Sequence, residues 1–491
     1  MRRSLRCFVG MGSLALVACS GSTEPVAVPP VLRIGPDTAL LLDEMMTPAV
    51  TARDERGAMV PASSIGWTSS DPAVASVDAT GRVTAKALGS AVITATMDTV
   101  IAHESIIVAP QFLRIATGET HACGITGRGE LFCWGMSQRG AIAAAPALQD
   151  CAAQFGTGIT CSTTPVRSTN LRPADITVGA MHSCSLEGDG TAYCWGANFY
   201  GQVGTGSSLD APTPTPVAGG HKFLQLVAGR MHTCGITTSH DAYCWGWDHA
   251  GQLGTGDVSS ERCEFFGDDP CSRTPRLVVG GHQWVQLDAT DRATCGITTS
   301  EEVYCWGLDV GGSDGLYCQM ADNLAGCTRT PILESGTRSF RVTHIGDVHR
   351  CEQSNGGEVE CWGANYFGAF GNGTTSYSAT PVPAAGGAAY STFVSGRSSA
   401  CGLSSDGRAQ CWGRGVEGQV GNGSAANALS PVDVSGGYRF SALVSSANSD
   451  FVCGFTTAGR AYCWGWGVYG QLGNGDFAIS TVPALVRLVQ P

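Results

Sequence analysis

The stretch Cys123-Gly-Ile-Thr-Gly-Arg-Gly-Glu-Leu-Phe-Cys133-Trp134-Gly135 decides the fold. Two cysteines with nine residues between them can face each other across a hairpin centred on Arg128, which leaves Gly127 to Gly129 as a three-residue loop. Such a loop needs its last residue in the left-handed region, where glycine is least strained. The same C-x9-C-W-G signature occurs seven times: Cys123 and Cys133, Cys184 and Cys194, Cys234 and Cys244, Cys295 and Cys305, Cys351 and Cys361, Cys401 and Cys411, Cys453 and Cys463. The loop-end residues are Gly129, Gly190, His240, Glu301, Gly357, Gly407 and Gly459, five of seven being glycine, so turn chemistry and cysteine spacing agree. A bridge closing a loop of this length stabilises by roughly 2–3 kcal/mol.

The Trp-Gly dipeptides begin at Trp134, Trp195, Trp245, Trp306, Trp362, Trp412 and Trp464, 50 to 61 residues apart. That period, with several short strands per unit, indicates propeller blades rather than a helical solenoid. One repeat reads Thr215-Pro-Val, Phe223-Leu-Gln-Leu-Val-Ala-Gly229, His232-Thr-Cys234-Gly-Ile, Ala242-Tyr-Cys-Trp-Gly246 and Gly251-Gln-Leu-Gly-Thr-Gly256: four strands separated by glycine-rich turns. A charged content of 14% with 67 glycines also favours turn-rich β structure. The expected fold class is all-β, a seven-bladed β-propeller over residues 110–491 behind an N-terminal immunoglobulin-like β-sandwich over 31–109.

These repeats resemble the regulator of chromosome condensation family in a short H-x-C, Y-C-W-G form, over about residues 110–491. The resemblance implies four-stranded blades in a seven-bladed ring. The first repeat departs from the pattern, with Ser137-Gln-Arg-Gly140 in place of G-Q-L-G-x-G, and the fourth has Gly311-Gly-Ser-Asp-Gly315 there. A histidine stands two residues before the first cysteine at His121, His182, His232 and His349, and is replaced by Ala293, Ser399 and Phe451. The expected closure uses the C-terminal run Thr481-Val-Pro-Ala-Leu-Val-Arg-Leu488 as a strand completing the first blade.

Upstream, Gly66-Trp-Thr-Ser-Ser-Asp-Pro-Ala-Val-Ala-Ser-Val-Asp-Ala-Thr-Gly81 and Ala91-Val-Ile-Thr-Ala resemble the bacterial immunoglobulin-like domain, group 2. The length suits a small sandwich. The segment carries no cysteine, and a stalk role is expected.

The first residues form a basic run, Met1-Arg2-Arg3-Ser4-Leu5-Arg6, then a short apolar stretch ending Leu16-Val17-Ala18-Cys19. That stretch is too short to span a bilayer and reads as an export signal. Small residues before Cys19 resemble a lipobox, which implies cleavage after Ala18 (signal peptide 1–18), lipidation of Cys19 and a linker over 19–30. The expected location is the cell envelope, as an outer-membrane or surface lipoprotein whose only membrane contact is the lipid anchor.

Of the 22 cysteines, Cys7 and Cys19 fall in this leader. The other twenty form the seven hairpin pairs and three loop pairs: Cys151 and Cys161, Cys263 and Cys271, Cys318 and Cys327. Closely spaced even pairs on an exported chain indicate disulfides. A C-x9-C spacing does not suit zinc, so no metal or cofactor is expected. The three loop pairs lie in the longest insertions, about 136–164, 248–274 and 308–330, and all follow the same strand of their blades, which places them on one face.

The formal net charge is −12 and no long basic stripe offsets it, which argues against nucleic acid. Gly311-Gly-Ser-Asp-Gly315 matches a nucleophile pattern but occupies a blade turn rather than a strand–turn–helix, and reads as a degenerate turn. The repeat tryptophans read as core between blades. Candidate binding residues are the unrepeated aromatics of the insertion face: Tyr200, Trp247, His249, Phe265, Phe266, Phe367, Trp466 and Tyr469. The leading function is a non-catalytic binding protein with an extracellular protein or glycan as partner. The alternatives are a propeller hydrolase or lyase acting on extracellular polysaccharide, and guanine-nucleotide exchange, which the resemblance alone suggests and export argues against.

Overall fold

The computed structural model describes residues 30–35, 38–143, 148–151, 159–257, 259, 261–263, 269–308, 327–334, 340–345, 349–384 and 387–487. Among them are seven antiparallel sheets, each a four-stranded meander, two with a further short strand added. The first runs Phe112–Thr117, His121–Thr126, Leu131–Met136 and Thr160–Arg167; the third runs Phe223–Ala228, His232–Thr237, Ala242–Trp247 and Asp269–Leu277. First strands of successive sheets pack side by side, and the last of them, Phe440–Val444, meets Phe112–Thr117. The arrangement is a β-propeller, with first strands innermost and fourth strands outermost.

Each signature hairpin has the register its spacing predicts. Cys123 pairs with Cys133, Thr126 N–H donates to Glu130 O at 2.9 Å and Gly129 N–H donates to Thr126 O at 2.8 Å. Counting outward from the loop, the cysteines fall on a non-hydrogen-bonded pair, where opposed Cα atoms come closest. The seven hairpin bridges span Cα–Cα distances of 4.0–4.1 Å. All seven loop-end residues have positive φ, including His240 and Glu301 at +64°. Two loop bridges are present as well, Cys151–Cys161 and Cys263–Cys271. Cys327 is disulfide-bonded, while its expected partner Cys318 lies outside the described residues.

The expected closure is overturned. Ser480–Leu485 pairs with Ala461–Gly465 as the outer strand of the seventh sheet, with Cys463 opposite Ala484. The first sheet takes its outer strand from its own repeat, with Val166 of Thr164-Pro165-Val166 opposite Cys133. The Thr-Pro-Val strand therefore ends a repeat instead of opening the next one. The long insertion before Thr160 hides this in the first repeat. Side chains, with no exchanged strand, join the ring: Phe112, Trp134, Phe451 and Leu472 share one core.

The outer strands carry an internal proline, as at Pro165, Pro214, Pro275, Pro381, Pro431 and Pro483. A proline on an edge strand removes a donor and discourages pairing with another chain.

Residues 31–109 form a separate group of sheets. One is Thr38–Leu41, Val100–Ala109, Gly89–Met97 and Gly66–Ser69; a second is Met45–Met46, Val83–Ala85 and Ala75–Val77; and Thr51–Arg53 pairs with Val31–Arg33. Alternating burial along Gly89–Met97 puts Ala91, Ile93 and Ala95 inside. Ile93 shares a core with Val74, Val83 and Ile106. This unit sits against the hairpin tips of the first and seventh blades, and a cleft of about 450 Å³ lined by Leu42, Lys86, Gln111 and Arg128 remains between them.

Candidate binding face

The blades are joined by one repeated interlock. In six of the seven blades, among the described residues, the Trp indole Nε1–H donates to a turn carbonyl of the blade before it: Trp195 to Ala141, Trp245 to Gln202, Trp306 to Gln252, Trp412 to Ala369, Trp464 to Gln419, at 2.9–3.0 Å. Trp134 closes the circle on Gln471 O at 2.8 Å. The glycine tails serve this contact. Gly473 has φ +67°, and a Cβ there would lie 2.8 Å from Trp134 Nε1.

A second element completes three of these seams. Ser183, Thr233 and Thr294 each donate a hydroxyl proton to the same carbonyl that accepts the indole, at 2.9–3.0 Å. Having given its proton away, each hydroxyl accepts from an imidazole Nε2–H of the preceding blade: His121 to Ser183 at 2.8 Å, His182 to Thr233 at 2.9 Å, His232 to Thr294 at 3.0 Å. His349 meets Ser395 at 3.0 Å. The four imidazoles are fully buried. Burial holds His121, His182 and His232 down to about 3 and His349 to about 4, so all are neutral. Where the histidine is absent the hydroxyl is absent too: Phe451 is followed around the ring by Ala122, Ser399 by Val452 and Ala293 by Arg350. The paired loss of Ser/Thr in the next repeat is a signal that the sequence reading missed.

At the other end of the third strands lies the face of the insertions. It meets the loops between first and second strands: Met136 N–H donates to Thr120 O, Trp247 N–H to Met231 O and Trp466 N–H to Asp450 O. These loops carry an ion-pair hub. Glu119 of the first blade reaches Arg230 of the third at 3.2 Å and Arg397 of the sixth at 3.1 Å. Arg397 continues to Asp450 of the seventh at 3.2 Å, and Arg230 to Asp291 of the fourth at 3.7 Å. Glu119 thus ties together blades that are not neighbours, and the hub crosses the central channel. Asp450 is raised by burial, with Arg397 acting against that shift.

The candidate aromatics fall into three clusters. Tyr200, Trp247 and His249 form a stack, with ring centroids 5.6 and 5.5 Å apart. Arg292 lies 5.6 Å from the Trp247 ring, and His249 Nδ1 is 3.0 Å from Asp269. Tyr200 is 4% exposed and packs with Cys263 and Cys271, so it supports the stapled insertion instead of facing solvent. Burial pushes its hydroxyl up to about 12. Phe367 is 37% exposed, with Arg414 at 5.5 Å from its ring. Trp466 and Tyr469 meet edge to face at 4.9 Å. Phe265, Phe266, Cys19 and the Gly311–Gly315 segment lie outside the described residues.

Two buried carboxylates stand apart. Asp248 occupies the position where Asn198 and Asn365 donate Nδ2–H to turn carbonyls. Burial raises it to about 6. Glu352, opposite Glu360 on the neighbouring strand, is raised by burial to about 7. Among the described residues, no group of three or more His, Cys, Asp or Glu could hold a metal ion.

Comparison with known proteins agrees with this architecture. Residues 189–236 and 458–490 match the regulator of chromosome condensation (RCC1) repeat. A second RCC1 repeat pattern matches 112–141, 174–202, 223–252 and 391–419, and the bacterial Ig-like domain (group 2) matches 49–108. The human E3 ubiquitin-protein ligase HERC2 is 26% identical over 270 residues, 53% of this chain but 5% of its own length. Yeast RCC1 (Prp20), in a structure with Kap60, superposes with a TM-score of 0.59 at 20% identity over 73% of this chain and 84% of that one. Human WBSCR16 gives 0.56 at 16% identity over 70% and 86%. The chain spans a small fraction of the ligase, and the two solved structures share its fold. The chain therefore carries RCC1 repeats in a β-propeller and a bacterial Ig-like domain (group 2) ahead of it.

Proposed function

We propose that this protein is a non-catalytic binding module of the cell envelope, anchored through Cys19, that presents the insertion face of its propeller to an extracellular protein or glycan. The observation that carries the reading is the separation of the two faces. The Ig-like unit, and with it the N-terminal side of the chain, lies against the hairpin tips, at Arg128 and Arg460. The stapled insertions and the aromatic clusters occupy the opposite face. An anchor on one side leaves the other side turned outward. The disulfide Cys263–Cys271 staples one insertion and packs on Tyr200, and a cross-linked loop loses less entropy on binding.

The charged channel rim supports binding over hydrolysis. Glu119, Asp291 and Asp450 are each held by arginine, whereas a glycosidase needs carboxyls facing its substrate. Propellers of this fold serve as interaction platforms, and yeast Prp20 is seen bound to Kap60.

The test is capture by the immobilised mature chain from a panel of purified envelope proteins and polysaccharides. Replacing Phe367 and Trp466 with Ala together is expected to weaken capture at least about tenfold, on the scale of anchor residues, with little change in melting. Capture unaffected by these changes and by C263S/C271S, or cleavage of a polysaccharide by the wild-type chain, would refute the reading.

A further inference from the structure

We infer that the Ig-like unit is the latch of the ring: it bridges the first and seventh blades across the seam where the propeller's first and last blades meet. That seam lacks two devices used elsewhere or expected. No strand is exchanged across it, since Thr160–Arg167 and Ser480–Leu485 each belong to their own repeat. The histidine–hydroxyl interlock is also missing there, with Phe451 facing the position of Ala122. Apolar packing and the Trp134–Gln471 bond remain.

The Ig-like unit covers this seam. Leu88 packs both on its own core, with Val83 and Ile106, and on the seam core of Phe112, Trp134, Phe451 and Phe455. From the seventh-blade hairpin, Arg460 donates Nη2–H to Glu44 at 2.7 Å and Nε–H to Ala39 O at 3.1 Å. Glu44 also accepts from Leu41 N–H at 2.8 Å, which fixes the carboxylate. Gly459 beside it has φ +81°, and a Cβ there would lie 3.3 Å from Leu41 Cδ1. On the first blade, Gly127 N–H donates to Gln111 O at the point where the chain passes from one unit into the other. One unit therefore grips both sides of this seam, so opening the ring there requires releasing it.

The test is amide hydrogen exchange on the full chain, comparing wild type with E44Q and with L88S. Both substitutions lie in the Ig-like unit, so any effect on the propeller travels through the contact. Exchange is expected to quicken by about tenfold or more in the seam strands Phe112–Thr117 and Phe451–Thr456, and to stay unchanged in Trp284–Ala289 across the ring. R460Q should match E44Q, and the double variant should add little to either. If L88S unfolds the Ig-like unit outright, the seam must still loosen. Seam strands that exchange as in wild type, with the unit docked, released or unfolded, would overturn the proposal.

Discussion

The two faces of the propeller are built on opposite plans. At the hairpin tips the same three-residue loop and the same cross-strand disulfide appear in every blade. At the insertion face the blades diverge: Trp247 and Trp466 stand where others have Met136, Ala197, Leu308, Ala364 or Arg414. Repetition marks what each blade needs in order to fold and dock. Divergence marks surface released from that duty, and function concentrates there.

The largest effect should separate the two kinds of disulfide. Replacing Cys234 and Cys244 with Ser removes a bridge inside a blade core, and urea unfolding should show a loss of roughly 2–3 kcal/mol. C263S/C271S releases an insertion that can open without the blade, so the global loss should stay below about 1 kcal/mol. Equal losses would erase the distinction between the faces.

A smaller effect concerns the seams. H182A and T233V should each cost about 2 kcal/mol, because each leaves a buried polar partner unsatisfied. Together they should cost less than the sum by about 1 kcal/mol, as expected of one hydrogen-bonded unit. Strict additivity would show that the imidazole and the hydroxyl act separately.

The third effect is pH dependence. The four buried imidazoles stay neutral in the native state down to about 3 to 4, whereas the unfolded chain protonates them from about 6.5 downward. The unfolded state then binds more protons, so stability falls as pH drops from 6.5 towards 4. Asp248 and Glu352 act the other way: raised to about 6 and 7, they cost stability at neutral pH and relieve that cost in acid. Four groups outweigh two, so unfolding at pH 5 should need less urea than at pH 7. H232Q should flatten the slope by up to about 1.4 kcal/mol per pH unit. An unchanged slope would mean that this imidazole titrates normally.

Local chemistry was the legible part of the fold. The cysteine spacing set the hairpin register, and the loop-end position demanded positive φ strongly enough that His240 and Glu301 adopt it without being glycine. Strand membership was harder to read, because Thr-Pro-Val fits either side of a repeat boundary and only pairing decides. The interlock was half legible: the histidines were visible, while their hydroxyl partners sit a whole repeat away, 62 residues from His121 to Ser183. The hub lay beyond reach. Glu119 and Arg397 are 278 residues apart and belong to no repeated pattern, so nothing short of the closed ring brings them together. Among the candidate aromatics, residue type suggested exposure for Tyr200, and the neighbouring insertion buries it.

The interlock between blades has a direction. A blade with the full set offers an imidazole forward and an indole backward, so the seam reads the same wherever that set is present. Such a joint is indifferent to how many units stand in line. A repeat copied into the chain would arrive with both halves of its coupling and would fit between any two matching neighbours. What limits the number is geometry, since the circle must close. The seams that have lost the imidazole and hydroxyl together, at Ala293 with Arg350, Ser399 with Val452 and Phe451 with Ala122, are then places where the joint has become private, fixing which blade follows which.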